Sequence, residues 1–165
     1  MKSESYMELL KSKFERHFNI HTDVEVLDHR IDMLAKYSDI SGRTFITKND
    51  IIDRYENHEF CYIKKFDHIS GEEAASFGQF LRKVVDECVK PGRDHMSTYV
   101  TGVMICNSMD QSVKALVEKY CYSKVYSFYL KGWCDVRLVC VGLDSIEVIT
   151  NKAGKKVKKV YQLAS

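Results

Sequence analysis

The chain has 165 residues, of which 45% are hydrophobic and 29% charged, and a formal net charge of +2. A chain of this length buries roughly two thirds of its unfolded surface and supports one independent core, so residues 1–165 read as a single domain. One proline and eight glycines exclude collagen-like and low-complexity polymers, and so small a net charge does not by itself mark a nucleic-acid binder.

The first element is helical, because Tyr6, Leu10, Phe14 and Phe18 recur at helical spacing with Lys and Glu between them. Ser3 or Ser5 is positioned to cap it, and it is expected to end near Asn19. From Arg30 the period becomes two: Ile31, Met33, Ala35 and Tyr37 alternate with Asp32, Leu34, Lys36 and Ser38, which predicts a strand with one apolar face. Ser41-Gly42 reads as a turn and Arg43 to Thr47 as a second strand. Residues 48 to 55 fit a short helix opened by Thr47-Lys48-Asn49-Asp50, and Asp50 to Tyr55 fits a strand nearly as well. Glu59 to Phe66 is a strand.

Ser70-Gly71-Glu72-Glu73 is a capping box. It opens an amphipathic helix whose buried stripe is Ala74, Phe77, Leu81, Val84, Val85 and Cys88, ending at Pro91-Gly92. Thr98 to Cys106, rich in β-branched and large apolar residues, is a buried strand. Ser108-Met109-Asp110-Gln111 reads as another capping box, before a helix with Val113, Leu116, Val117 and Tyr120 facing inward. Strand, helix, strand, helix is the order of a parallel sheet covered by helices. Lys124 to Lys131 then alternates again, Lys131-Gly132 is a turn, and Cys134 to Val141 and Ile146 to Thr150 are strands. These predict an antiparallel meander at one edge. Ala153, Val157, Val160, Tyr161 and Ala164 fit helical spacing behind Asn151 as a cap. The fold class is therefore α/β (α+β), a mixed sheet with central strands flanked by helices. The core covers about residues 25–122, with a C-terminal β extension over 123–165.

The six cysteines show no C-x-x-C spacing and lie mostly in apolar runs, as small buried hydrophobes do. With MKSESYMELL at the start, which lacks the layout of a secretory leader, and no apolar run near ~20 residues, the expected setting is cytoplasmic and away from membranes. His17 and His21 are four apart at a helix end and read as surface histidines. His58, His68 and His95 fall in apparent loops. A Cys88–His95 pair is a conceivable nucleophile arrangement, but Cys88 lies on the buried stripe. Asp135 and Arg137 alternate outward on their strand as a local salt bridge or an interface pair. The cluster Tyr120, Tyr122, Tyr126, Phe128, Tyr129 and Trp133 is too large to be all core. It suits a homodimer interface or stacking on nucleic-acid bases. Lys152, Lys155, Lys156, Lys158 and Lys159 form a run without acids, a solvated face or a nucleic-acid phosphate site.

The order helix, strand, strand, lysine-bearing strand, helix, strand, helix, together with the patches Ile31-Asp32-Met33-Leu34-Ala35 and Phe60-Cys61-Tyr62-Ile63-Lys64, resembles the restriction-endonuclease-like core of the Mrr-type PD-(D/E)xK nucleases. The resemblance implies Asp32 as a metal-holding carboxylate and Lys64 as the lysine that stabilises developing charge, with Mg²⁺ as the cofactor of an active member. The second ligand position, two residues before Lys64, holds Tyr62, and the nearest acid is Glu59, five residues away. An odd separation puts Glu59 and Lys64 on opposite faces of a regular strand. The implied function is a degenerate nuclease-like protein that binds nucleic acid without efficient cleavage. The alternatives are an active Mg²⁺-dependent nuclease using Asp32, Glu59 and Lys64, and a homodimeric adaptor joined through the aromatic meander.

Overall fold

The structure is a computed structural model that describes residues 2–44 and 51–163, and of residues 40–44 and 51–55 the backbone alone. Helix α1 spans Ser3–Phe14, and strands β1 (Asn19–Val26), β2 (His29–Thr44) and β3 (Ile51–Ile69) follow. Helix α2 (Gly71–Cys88), β4 (His95–Met109) and α3 (Gln111–Lys119) come next. Strands β5 (Ser123–Val125), β6 (Trp133–Gly142) and β7 (Glu147–Thr150) precede a 3₁₀ turn over Ala153–Val157 and α4 (Lys158–Tyr161).

The seven strands form one open mixed sheet in the order β1-β2-β3-β4-β6-β5, with β7 also paired to β6. The pairs β3–β4 and β4–β6 are parallel and all others antiparallel. Helices α2 and α3 cover one face, burying Phe77, Leu81, Val84, Val113 and Val117 against it. Helix α1 and Tyr161 of α4 cover the other over Met33, Cys61, Ile63, Val103 and Val139. No described helix is long and apolar enough to cross a membrane.

Several expectations change. The first helix ends at Phe14, and Asn19–Val26, unassigned from the sequence, is a strand half-buried at Ile20, Val24 and Val26. Leu27 and Asp28 join it to β2 with φ of 47° and 62°, the left-handed pair of a two-residue hairpin turn. Neither Ser3 nor Ser5 caps α1; the N-cap is Lys2, and the Ser3 hydroxyl donates to the Glu4 carboxylate. Ser41-Gly42 is not a turn: β2 runs through it, with Ser41 and Gly42 opposite Tyr55 and Arg54. Residues 51–55 are strand, which rules out the helix there, and Thr47–Asp50 lies outside the described residues. His58, His68 and His95 sit in strands.

The capping box at α2 forms in full, Ser70 accepting from the Glu73 amide while the Glu73 carboxylate accepts from the Ser70 amide. Cys88, expected on the buried stripe, is exposed, and Phe80 is buried instead. The second capping box does not form, because β4 continues to Met109 and the Ser108 and Asp110 side chains both go to His68. The edge meander is different too. Strand β6 is buried on both faces from Val136 to Val141, which demands an interior position. It therefore lies beside β4, and β5 and β7 share its other edge. The strand expected over Lys124 to Lys131 stops at Val125, and Ser127–Tyr129 forms a tight left-handed turn.

Candidate functional site

Asp32, Glu59 and Lys64 are not brought together. At Asp32 the side-chain alternation of β2 slips, so that Ile31 packs with the α2 cluster while Met33 packs on the opposite face. Asp23, facing this position from β1, has a φ of 50°. The β2–β3 ladder ends at Met33 and Ile63, and the Asp32 carboxylate accepts the next amide, that of Lys65, at 2.8 Å. Lys65 Nζ is 4.0 Å from the same carboxylate. Asp32 thus completes a broken ladder. Lys64 points to the α2 face, its ammonium 5.5 Å from the centre of the Phe66 ring. Tyr62 is also on that face, buried and edge-on to Phe80 at 5.7 Å; desolvation pushes its hydroxyl well up. Glu59 lies six residues from Lys65 along β3, about 20 Å at ~3.3 Å per residue. Asp32 and Glu59 therefore do not share one ion. Among the described residues no three His, Cys, Asp or Glu side chains gather as a metal site.

Glu59 has another partner. Arg137 Nη1 donates to its Oε1 at 3.0 Å, and the guanidinium carbon lies 3.4 Å from the centre of the Tyr99 ring. The contact spans β6, β4 and β3, and Arg137, read as outward-facing, is 6% exposed. Its partner is not Asp135. Arg137 Nε and the hydroxyl of Thr101, opposite it in register, have no hydrogen-bond partner. Stacking on Arg137 fixes one side of Tyr99.

Tyr99 also lines a pocket of about 340 Å³ with Trp133, Tyr129, Lys124, Asp135 and Lys156. Tyr99 and Trp133 meet edge to face at 5.1 Å. The loop that carries Tyr129 holds three consecutive left-handed residues, Ser127, Phe128 and Tyr129, with φ of 48°, 52° and 70°. Each costs roughly 1–2 kcal/mol, so the surroundings must enforce the shape. Four backbone hydrogen bonds within 126–132 do so, among them Tyr126 N–H to the Gly132 carbonyl and Lys131 N–H to the Tyr126 carbonyl. Gly132 sits at φ 71°, where a Cβ would collide with the Met96 carbonyl. His95 Nδ1 donates to the Lys131 carbonyl at 2.6 Å and Nε2 bonds the Thr98 hydroxyl at 2.7 Å. Both ring nitrogens are committed, so His95 anchors the loop and does not pair with Cys88. His17 and His21 are exposed.

The aromatic cluster divides. Tyr120 donates to the Gly78 carbonyl and Tyr122 to Asp86, both on α2. Phe128, Tyr129 and Leu130 are 96%, 68% and 83% exposed. The lysine run divides as well. Lys152, Lys155 and Lys158 line a groove of about 690 Å³ along β7 with Lys114, Glu118 and Glu147. Lys114 is held by Glu147 at 2.6 Å. Lys156 turns to the aromatic pocket. The segment is helical only as a short 3₁₀ turn and one α turn. The first free amide of that turn, Gly154 N–H, is taken by Asn151 Oδ1 at 2.8 Å, so the lysines act here as side chains and not through a helix end.

A family model described as a domain of unknown function, DUF8052, matches residues 2–163, and the chain belongs to that family. No curated protein and no solved structure matches it.

Proposed function

We propose that this member of the DUF8052 family binds nucleic acid without cleaving it. The observation that carries the reading is the β7 groove, where Lys152, Lys155 and Lys158 converge beside the Lys114–Glu147 pair. Glu118 offsets one of these charges, which leaves a modestly basic channel. Phosphates are held by such lysines through charge and counterion release, without base readout. The order α1–β1–β2–β3–α2–β4 supports a restriction-endonuclease-like core as part of the proposal. The separation of Asp32 from Glu59 supports binding over cleavage, because hydrolysis needs carboxylates on a shared ion.

The test is anisotropy of labelled oligonucleotides across a salt series. Binding should weaken as salt rises. Replacing all five lysines of residues 152–159 with Gln should flatten the slope by roughly 0.7–0.9 for each phosphate that the protein no longer neutralises. Absent or salt-independent binding overturns the proposal. Incubation with Mg²⁺ should give no cleavage; product that disappears in Asp32→Ala would restore the nuclease alternative. The exposed run Phe128-Tyr129-Leu130 favours a second reading, a homodimer through this loop. Light scattering on the parent and on Trp133→Asp decides it, and a parent that stays monomeric at high concentration ends it.

A further inference from the structure

We propose that the pocket beside β5 and β6 receives one unpaired base of a single-stranded nucleic acid, stacked against Trp133, Tyr99 and Tyr129, with Lys156 on the adjoining phosphate. This rests on the nucleic-acid reading above and adds to it a specific substrate class, single strands, and a specific subsite.

Shape and surface chemistry argue for a flat aromatic guest. Tyr99 and Trp133 form a half-buried corner with rings 79° apart, and Tyr129 stands 68% exposed at its border. The loop supplying Tyr129 carries three left-handed residues and is fixed from behind by His95 and Gly132. An aromatic ring presented at that conformational cost is pre-organised. One face of Tyr99 is held by the Arg137 guanidinium. Stacking on such a platform is worth about 1–3 kcal/mol per base and tolerates any sequence.

Charge selects among aromatic guests. Lys124 also lines the pocket, but its ammonium is held by Asp86 at 2.9 Å. Lys156 and Asp135 have no ion pair among the described residues. A purely cationic guest, the usual occupant of an aromatic cage, would face Lys156. A nucleotide answers both charges, its phosphate meeting Lys156 and an amino group on the base edge donating to Asp135. Lys155, the preceding residue, already lines the β7 groove. The groove and the pocket thus take their lysines from adjacent positions of the chain, Lys155 and Lys156. Only an unpaired base can enter, since a duplex keeps its bases stacked.

Trp133 is the sole tryptophan, so its emission reports on this pocket alone. The full chain is titrated with a twelve-nucleotide oligo-dC strand and with a twelve-base-pair duplex. Tryptophan emission is followed alongside anisotropy of labelled copies. Single-strand binding should quench Trp133 and duplex binding should not. Tyr129→Ala, in an exposed loop where folding is not at stake, should weaken the single strand about tenfold and leave the duplex unchanged. Single-strand binding that neither alters Trp133 emission nor responds to Tyr129→Ala overturns the pocket while leaving the lysine groove in place. Equal quenching by duplex also overturns it. No anisotropy change with either oligonucleotide removes the nucleic-acid reading itself. Quenching that follows protein concentration without oligonucleotide identifies a second copy as the occupant and overturns the proposal.

Discussion

Asp32, on the interior strand β2, and Asn151, beside β6 toward the other end of the sheet, do the same kind of work to different depths. At Asp32 the β2–β3 ladder lacks one acceptor, and a half-buried carboxylate supplies it to the Lys65 amide. At Asn151 the outer edge of β6 is bare between β5 and β7. The Asn151 amide group fills that gap as a strand backbone would, accepting from Leu138 N–H and donating to the Val136 carbonyl. It also donates to the Tyr120 carbonyl and accepts from Gly154 N–H. All four of its hydrogen-bonding capacities are used, and the residue is 1% exposed. The difference teaches how to read a lone polar residue in a sheet. One that mends a ladder at a solvated position resembles a catalytic acid in sequence, and one that mends a ladder inside the core looks like an ordinary loop residue. The second matters more for folding.

Substitutions at five positions break or sharpen that comparison. Asn151→Leu should be the most damaging, since it strands two buried amides, one buried carbonyl and one half-buried carbonyl; a loss on the order of 3–5 kcal/mol is expected from urea unfolding. A loss below about 1 kcal/mol would mean that the β6 edge finds other partners. Arg137→Met comes next, at about 2–3 kcal/mol, because it leaves Glu59 inside the sheet without its cation. The value is set below that of a fully buried pair because the Glu59 side chain is 24% exposed. Adding Glu59→Leu to that variant should recover part of the loss. Asp32→Ala should cost about 1–2 kcal/mol and Asp32→Asn much less, since the amide keeps an acceptor for Lys65 N–H; equal losses would show that charge, not the ladder bond, is what Asp32 contributes. Lys64→Gln should change stability by no more than about 0.5 kcal/mol and leave oligonucleotide binding as in the parent. A large effect on binding would return Lys64 to the site.

Much of the scaffold was legible because it is periodic. Helix α2 announces itself by its capping box and apolar stripe, and β4 and β6 by their β-branched runs. Strand β1 carries the same kind of signal in Ile20, Val24 and Val26, weakened because only one face is half-buried. The candidate site was visible only as fragments. The lysine run, Trp133 and Tyr129 were each conspicuous, but their division between groove and pocket depends on which way a short 3₁₀ turn faces. Tyr99 gave no signal, lying in a strand that reads as plain core. Glu59 and Arg137 each stand out in the sequence in other roles, since 78 residues separate them and only the β3-β4-β6 order makes them neighbours.

The sequence alone determined what local forces determine: the helices that bury one stripe, the strands that alternate or run apolar, and the turn at Gly132. The tertiary structure decided strand order, and with it every pairing made across the sheet. It set Arg137 on Glu59, turned Asp32 to a backbone amide, and gathered aromatic rings from two strands and a loop around Lys156. Periodicity fixes which face a residue takes on its own element, whereas the partner it meets depends on loop closure and on burial shared by the whole chain.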